Sequence, residues 1–277
     1  MFNEVNKYII IGAAAVSLAL ASCTDKDKKN AEELYTLSEQ AVEARNYAGA
    51  LVILDTLDSR YRSQTEIRRG GMRLRAMAME GIALDSIAAG DSALAAATAR
   101  LENIRPSFRH VESSVGLEGY FLPQKVNEKM MTATGIQPRV SDKGYMYIVA
   151  NVQGRRIGLN SIEFSDGSQG VSSAKISPAR LIVVEGSESA SFNPEEITEL
   201  APWLAEHPGA NKIILHGTKG NANVKLDGAM RKQLLECAEF SAALQAQRRA
   251  SIKREKYERM LATARNQLAN SPQASQE

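Results

Sequence analysis

Residues 145–152 have the sequence YMYIVANV and decide the fold, because they are apolar at both odd and even positions. A strand with two apolar faces is typical of the centre of a sheet, where both faces are covered. Gly144 before the run and Gly154 after it indicate turns into and out of the strand. We therefore expect a β-sheet core in the middle of the chain.

Further strands are predicted on the C-terminal side of this run. Residues 161–165 and 171–176 flank a segment that contains Asp166, Gly167 and Gly170, which predicts a hairpin with a loop longer than two residues. The remaining predicted strands are residues 181–184, 189–192, 212–215 and 223–226.

Proline placement separates this middle from its two flanks. Seven of the eight prolines lie in one stretch, at positions Pro106, Pro123, Pro138, Pro178, Pro194, Pro202 and Pro208. Because proline is costly inside a helix, the flanks can form long helices and the middle cannot. Eight of the fifteen aromatic residues also lie between Phe108 and Trp203, which favours strands. We expect an α+β chain with a β-rich domain over residues 106–228.

One short helix is predicted within the β-rich domain. Asn193 is a helix-capping residue, Pro194 suits the first helical position, and Glu196 suits the third. The predicted helix therefore starts at Asn193, and Pro202 breaks or kinks it.

The last flank, residues 229–270, contains neither glycine nor proline and predicts one long helix, with residues 271–277 as a tail. Its two ends carry apolar stripes, whereas its middle is basic. The candidate contacts for an anionic partner in this middle are Arg248, Arg249, Lys253, Arg254 and Lys256. A solvated helix face is the alternative interpretation of the same residues.

The first flank, residues 31–105, predicts helical hairpins, with Gly90 and Asp91 dividing its second half into two helices. Residues 31–64 resemble one tetratricopeptide repeat, a pattern of about 34 residues. The matching packing positions are Leu34, Leu37, Ala41, Tyr47, Ala50, Leu54 and Leu57. Departures are Ser38 and Arg45 at the usual glycines and Arg62 at the usual proline, so a generic helical hairpin stays open. A single repeat needs a further helix to cover its face.

A second basic cluster begins the segment after this hairpin. It consists of Arg68, Arg69, Arg73 and Arg75. A solvated helix face and an anion-binding site are both compatible with the pattern.

The N-terminal residues have the three parts of a secretory signal. Lys7 precedes an uncharged apolar run over residues 8–21, which is too short for a membrane span of about 20 residues. The run ends in Leu20-Ala21-Ser22-Cys23, which resembles the lipobox of bacterial lipoproteins. The resemblance implies cleavage of the signal peptide, residues 1–22, and diacylglyceryl and N-acyl (palmitate-type) modification of Cys23. Residues 23–30 would then form a polar tether.

Acylation at Cys23 predicts an exported protein anchored in a membrane, because its acyl chains together exceed what stable anchoring requires. Thr24 follows the cysteine, where the inner-membrane retention signal would have an aspartate. By analogy, this favours the outer membrane of a Gram-negative cell, on either its periplasmic or its outer face.

Recognisable catalytic chemistry is sparse in the sequence. His110, His207 and His216 lack a second histidine or cysteine at metal-ligand spacing, and no motif frames a serine near His216 and Asp227 as a catalytic triad. We interpret them as hydrogen-bonded structural histidines. Residues 217–220, GTKG, predict a hairpin turn because they lack the spacing of a phosphate loop. No cofactor or metal is expected.

Composition limits the classes of partner and scaffold that the sequence supports. A net charge of +2 over 277 residues and the exported location give no reason to expect nucleic acid. Two cysteines exclude a disulfide scaffold, and Cys237 lies among apolar residues as a small buried hydrophobe.

The general layout also resembles uncharacterised lipoproteins of Gram-negative gut anaerobes, on the lipobox, the segments 50–58 and 134–140, and the terminal helix. Three hypotheses follow. The first is a non-enzymatic envelope protein whose helices bind an envelope protein partner or the membrane surface. The second is a sugar- or peptide-binding lipoprotein that uses Tyr120, Phe121, Tyr145 and Tyr147. The third is a hydrolase with an unrecognised site.

Overall fold

The computed structural model describes residues 24–112, 118–126 and 133–271, and it confirms the α+β class. The signal peptide and Cys23 lie outside these residues. Contacts divide the chain into two compact units. The first contains the described residues up to Asp85 and those from Tyr257 onward, and the second is Ser86–Lys256. The sequence boundaries at 105 and 228 follow composition instead, so each long helix contributes residues to both units.

Three helices open the described chain: α1 (Thr24–Glu43), α2 (Tyr47–Arg60) and α3 (Thr65–Ile104). Almost all of the segment expected as a tether is therefore the first part of α1. Arg45 adopts a left-handed φ of 58° between α1 and α2, at the position where the repeat pattern has glycine. Asn46 then caps α2 by accepting a hydrogen bond from the Gly49 N–H at 3.1 Å.

Two small hydrophobic clusters hold these helices together in the first unit. Ala31, Leu54, Leu57 and Leu74 form one cluster, and Val42, Ala50 and Ala78 form the other. The early part of α1 thus meets the late part of α2, so the two helices are antiparallel. The α3 helix packs against both and runs antiparallel to α2. Each fully buried leucine contributes about 1.5 to 3 kcal/mol.

The prediction that Gly90 and Asp91 divide the third helix is wrong, because α3 is continuous over 40 residues. A glycine inside a helix costs only about 1 kcal/mol. Gly90 is buried against the C-terminal helix. A Cβ built on Gly90 would lie 3.9 Å from the Arg254 Cβ. Packing therefore outweighs the local preference.

The second unit contains two antiparallel sheets. In chain order the strands are β1 (Phe108–Val111), β2 (Tyr120–Pro123), β3 (Gly135–Ser141), β4 (Met146–Val152), β5 (Leu159–Ser165), β6 (Gly170–Ser172), β7 (Ile182–Val184), β8 (Ser187–Phe192), β9 (Lys212–Gly217) and β10 (Gly220–Lys225). The larger sheet has the order β1-β2-β3-β4-β8-β7, and the smaller has β10-β9-β5-β6.

The sequence predictions for these strands are largely confirmed. The apolar run of residues 145–152 corresponds to β4, an interior strand between β3 and β8. The β5–β6 hairpin has a loop of residues 166–169, and β9 and β10 are joined through Thr218 and Lys219. Residues 217–220 are thus a hairpin turn, as predicted.

Both sheets contribute to one hydrophobic core with the last helix. Its fully buried members include Ile148, Phe164, Phe192, Ile213 and Leu215. Phe240 of α5 (Gly228–Asn270) stacks on Phe108 with ring centroids 4.2 Å apart. The prediction of one long C-terminal helix is confirmed.

The short helix begins later than the sequence predicted, because α4 is Leu200–Glu206. Residues 194–199 form turns, in which the Glu196 carboxylate accepts the Asn193 N–H. Pro202 neither breaks nor kinks a helix. It lies in the first turn of α4, where backbone N–H groups have no acceptor within the helix, so proline removes no helical hydrogen bond.

Glu188 of β8 is a buried carboxylate that fastens the chain before β5. It accepts the backbone N–H groups of Ile157 and Leu159 at 2.9 Å each and of Gly158 at 3.1 Å. Its exposed fraction is 2%, so these bonds replace the water that the carboxylate would otherwise bind.

The edge strand β7 is unusually apolar for an exposed element. Ile182, Val183 and Val184 are all exposed, and within the described residues β8 is the strand that pairs with β7. Glu185 and Gly186 form the tight turn to β8 with φ values of 48° and 81°.

Candidate functional site

The structure separates the five predicted basic residues of α5 into two sets. Arg254 forms an ion pair with Asp91 of α3, with Nε and Oδ1 2.8 Å apart. Arg248, Arg249, Lys253 and Lys256 are exposed instead. At 100° per residue these four, together with Ile252, lie within about 140° of one another on one side of α5.

The opposite side of α5 is attached to α3 within the second unit. Gln247 donates a hydrogen bond to the Thr98 hydroxyl at 3.0 Å, one heptad before the Arg254 ion pair. The exposed basic side is therefore presented by a helix whose other side is fixed.

We call Arg248, Arg249, Ile252 and Lys253 the basic stripe. In the described part of the chain no carboxylate lies within ion-pair distance of its three cations. Ile252, near its centre, is 55% exposed. Arg248 and Ile252 also border a shallow groove towards Leu94 and Thr98.

The arginine cluster of α3 is mostly neutralised within the first unit. Arg75 bridges Asp55 and Asp58 of α2 at 2.7 and 2.9 Å, and Arg68 pairs with Asp58 at 3.0 Å. Arg69 pairs with Glu66 on its own helix at 3.2 Å. These contacts favour the solvated helix face over an anion-binding site.

A groove between α1 and α3 is a concave feature of the first unit. Its lining is Glu32, Tyr35, Thr36, Glu66, Ile67 and Gly70. Gly70 allows the two helices to approach, because a Cβ there would lie 2.9 Å from the Tyr35 Cε2. We call this feature the α1–α3 groove.

The charged residues that line the α1–α3 groove, Glu32 and Glu66, are both acidic. Burial and the nearby Glu39 carboxylate raise the pKa of the Tyr35 hydroxyl above 10.0, against the opposing effect of Arg73. Tyr35 is therefore a neutral hydrogen-bonding group at physiological pH. Glu32 and Glu66 are exposed at the rim.

The three histidines are hydrogen bonded, as predicted. His216 lies between Glu163, at 2.7 Å from its Nε2, and Asn221, at 3.2 Å from its Nδ1. The Asp227 carboxylate has a different partner, because it accepts the Met230 N–H at 2.8 Å at the start of α5. The contacts of the described residues therefore do not join His216 and Asp227 as a triad.

The other two histidines have partners of their own. His110 lies 2.7 Å from the Asp142 carboxylate. His207 stacks on Trp203, with ring centroids 4.1 Å apart, and contacts its carbonyl oxygen.

The Cys237 thiol is inaccessible, which confirms the predicted small buried hydrophobe. Burial, with a further contribution from Glu236, raises its pKa well above the ordinary 9.0. The reactive thiolate form is therefore suppressed.

The four aromatic residues of the ligand-binding hypothesis do not form one cluster. Phe121 is buried against Phe240, whereas Tyr145 is 47% exposed. Tyr120 and Tyr147 lie beside Arg139, whose guanidinium carbon is 4.3 Å from the Tyr120 ring centroid. The structure thus places two of the predicted tyrosines beside Arg139, which the sequence analysis did not identify.

The described residues show neither a metal-binding cluster nor a membrane-spanning helix. No group of three or more His, Cys, Asp or Glu side chains is placed to hold a metal ion. None of the helices in those residues combines the length and apolarity needed to cross a membrane.

Comparison with known proteins gives no further guide. Neither a protein-family profile, nor a curated protein, nor a solved structure matches this chain. The sites above therefore stand on their own geometry.

Sequence reasoning did not identify the α1–α3 groove. Its signal is Gly70 beside a second glycine inside a predicted helix, where two glycines are unfavourable unless a neighbouring helix comes close. The partner that comes close is Tyr35, and no sequence spacing links it to Gly70.

Proposed function

We propose that the chain is a lipid-anchored protein of the cell envelope that binds a protein partner and catalyses no reaction. The lipobox at Cys23 supports the anchor, and Thr24 after it supports delivery to the outer membrane. The observation that carries the binding role is the α1–α3 groove, which combines an aromatic side chain, an apolar side chain and two rim carboxylates.

The chemistry of the α1–α3 groove defines the partner segment. Tyr35 and Ile67 offer apolar surface, and Tyr35 also offers a neutral hydroxyl. Glu32 and Glu66 attract cations. The groove therefore fits a segment that carries a lysine or arginine next to an apolar side chain.

Local ion pairs on the rim are too weak to prevent this. Glu32 is 3.9 Å from Lys28, and Glu66 is 3.2 Å from Arg69, each on its own helix. Such exposed pairs contribute about 0.2 to 0.5 kcal/mol. A partner cation can displace either of them.

The histidine and cysteine side chains considered for catalysis have other contacts. Both ring nitrogens of His216 have oxygen partners, and the Cys237 thiol is buried. These contacts support a non-enzymatic role over a hydrolase.

The test is affinity capture from envelope extracts with the chain lacking the signal peptide and Cys23, residues 24–277, followed by measurement of the captured partner's affinity. The double substitution Glu32→Lys and Glu66→Lys should weaken binding by about tenfold or more, because it reverses both rim charges. Glu33→Lys with Asp85→Lys is the matched control, since these exposed acids lie in the same unit outside the groove lining. Equal loss in both double variants, or no reproducible partner, would contradict the proposal.

The ligand-binding alternative has one supporting observation, the cluster of Tyr120, Arg139 and Tyr147. Aromatic rings beside an arginine suit a sugar or a peptide carboxylate. Calorimetric titration of the mature chain with oligosaccharides and short peptides tests it. Binding that persists unchanged in Arg139→Gln would rule out this cluster.

A further inference from the structure

We propose that the basic stripe of α5 binds the anionic headgroups of a lipid bilayer. The proposal goes beyond the protein-binding role, because the stripe lies in the second unit and uses none of the groove residues. Its basis is the combination of three cations that lack carboxylate partners in the described residues with an exposed isoleucine among them.

Charge complementarity is the first reason for this occupant. A bilayer surface presents phosphate groups over a plane, and one side of a helix presents its cations over a matching strip. Each lysine or arginine brought to an anionic surface strengthens binding by about fivefold. Arg248, Arg249 and Lys253 together therefore supply about a hundredfold.

Ile252 is the second reason, because an acidic protein partner would not need it. An apolar side chain among cations is typical of helices that lie in the headgroup region and place that side chain at the acyl boundary. The arginine and lysine stems are apolar as well and can follow it.

The third reason is that the stripe is preformed. Gln247 and Arg254 hold the other side of α5 against α3 through Thr98 and Asp91. Binding therefore does not require the helix to fold, which distinguishes the stripe from a disordered basic segment. Lys256 lies on the same side and has an interaction of its own, so the proposal rests on the other three cations.

The proposed acyl anchor at Cys23 would favour binding of the basic stripe to the same membrane. Acylated Cys23 would keep the protein near a membrane, and a second contact would then form at a high effective concentration. The proposal concerns the contact itself, so it is tested without the acyl chains.

The experiment is cosedimentation of the non-acylated chain, residues 24–277, with vesicles. One set is phosphatidylcholine alone, and the other contains phosphatidylcholine and phosphatidylglycerol. We expect binding to the anionic vesicles only, and weaker binding as salt is raised. The triple substitution Arg248→Gln, Arg249→Gln and Lys253→Gln should lower the partition coefficient by about a hundredfold.

A charge-matched control is available in the same unit. Lys212, Lys219 and Lys225 of the β9–β10 hairpin are exposed, and replacing all three by glutamine gives the same change in net charge. This control should retain most of the binding. Ile252→Ser should lower the partition coefficient by about tenfold without changing the charge.

Three outcomes would overturn the proposal. They are absence of binding to anionic vesicles, equal loss in the two triple variants, and binding to the soluble polyanion polyglutamate in place of vesicles. Circular dichroism of each variant checks that it is folded. Because the assay contains no protein partner, failure here leaves the groove proposal standing, and failure of partner capture leaves this one standing.

Discussion

At the residue scale, two glycines of α3 differ in whether the packing around them leaves room for a side chain. The Tyr47 ring lies so close to Gly81 that a Cβ there would overlap it. At Gly90 the nearest atom to such a Cβ is the Arg254 Cβ at 3.9 Å, an ordinary contact. Gly81 is therefore required by a close approach, whereas Gly90 is not.

The same substitution at the two positions should change stability in opposite directions. Gly81→Ala should lower the free energy of unfolding by about 1 to 3 kcal/mol, because the tyrosine ring must move. Gly90→Ala should raise it by about 0.5 to 1 kcal/mol, because alanine favours the helix. Chemical denaturation measures both. A loss of stability at Gly90 would show that the space there is tighter than the distance indicates.

The Cys237 thiol makes stability depend on alkaline pH. Its pKa is raised in the folded chain, whereas in the unfolded chain it ionises above about pH 8.5. The thiol therefore contributes fully below that pH, and the contribution is lost as pH rises, at up to about 1.4 kcal/mol per pH unit.

Cys237→Ala removes this effect and is the comparison to make. Between pH 7 and pH 10 the stability advantage of the native chain over the variant should shrink by about 1 to 2 kcal/mol. Urea denaturation of both proteins at the two pH values measures it. Parallel pH profiles would show that the thiol ionises as readily in the folded chain as in the unfolded one.

At the scale of elements, the sequence predicted what depends on local pattern. The absence of glycine and proline predicted α5, and two apolar faces predicted the interior position of β4. The start of α4 was missed because Glu196, a helix-capping residue by position, forms a turn instead. Gly90 did not end α3 because packing overrides a weak local preference.

The candidate sites were predicted less completely than the helices and strands. The basic residues of α5 were identified from composition, but their division into a stripe and an inward Arg254 depends on the position of α3. The α1–α3 groove joins residues about 30 positions apart, and only the fold brings them together.

Arg231 connects α5 with the end of α4. Its guanidinium donates to the carbonyl oxygens of Leu204 and His207 at 2.7 Å each and of Ala210 at 3.0 Å. These include carbonyls that the end of a helix leaves without intrahelical partners. One side chain therefore holds the turn after α4.

Replacing Arg231 should be costly, and its neighbour provides the control. Arg231→Gln should lower the free energy of unfolding by about 2 kcal/mol, because charged hydrogen bonds are lost. Lys232→Gln should change it by less than about 0.5 kcal/mol, since Lys232 is exposed and has only a 3.7 Å pair with Glu236. Thermal unfolding of both variants measures the difference, and equal effects would contradict the assigned role.

At the scale of the whole molecule, attachment is assigned to one residue. Three acyl chains at Cys23 would anchor the protein, while the described residues contain no helix able to span a membrane. The proposed anchor would therefore be removed by a single substitution at Cys23.

Cys23→Ala should abolish acylation. Radiolabelled palmitate incorporation and the mobility of the mature protein measure this directly. Membrane retention should fall as well, and Cys237→Ala is the matched control because it leaves the lipobox intact. A Cys23→Ala protein that still incorporates palmitate would contradict the assignment.

The edge strand β7 has a consequence for handling the protein. Ile182, Val183 and Val184 offer an exposed, uncharged strand to any other chain. Concentrated samples should therefore tend towards colloidal self-association through strand-to-strand contacts. Val183→Lys places a charge in the middle of that edge, so it is the substitution that we expect to keep the purified protein monodisperse.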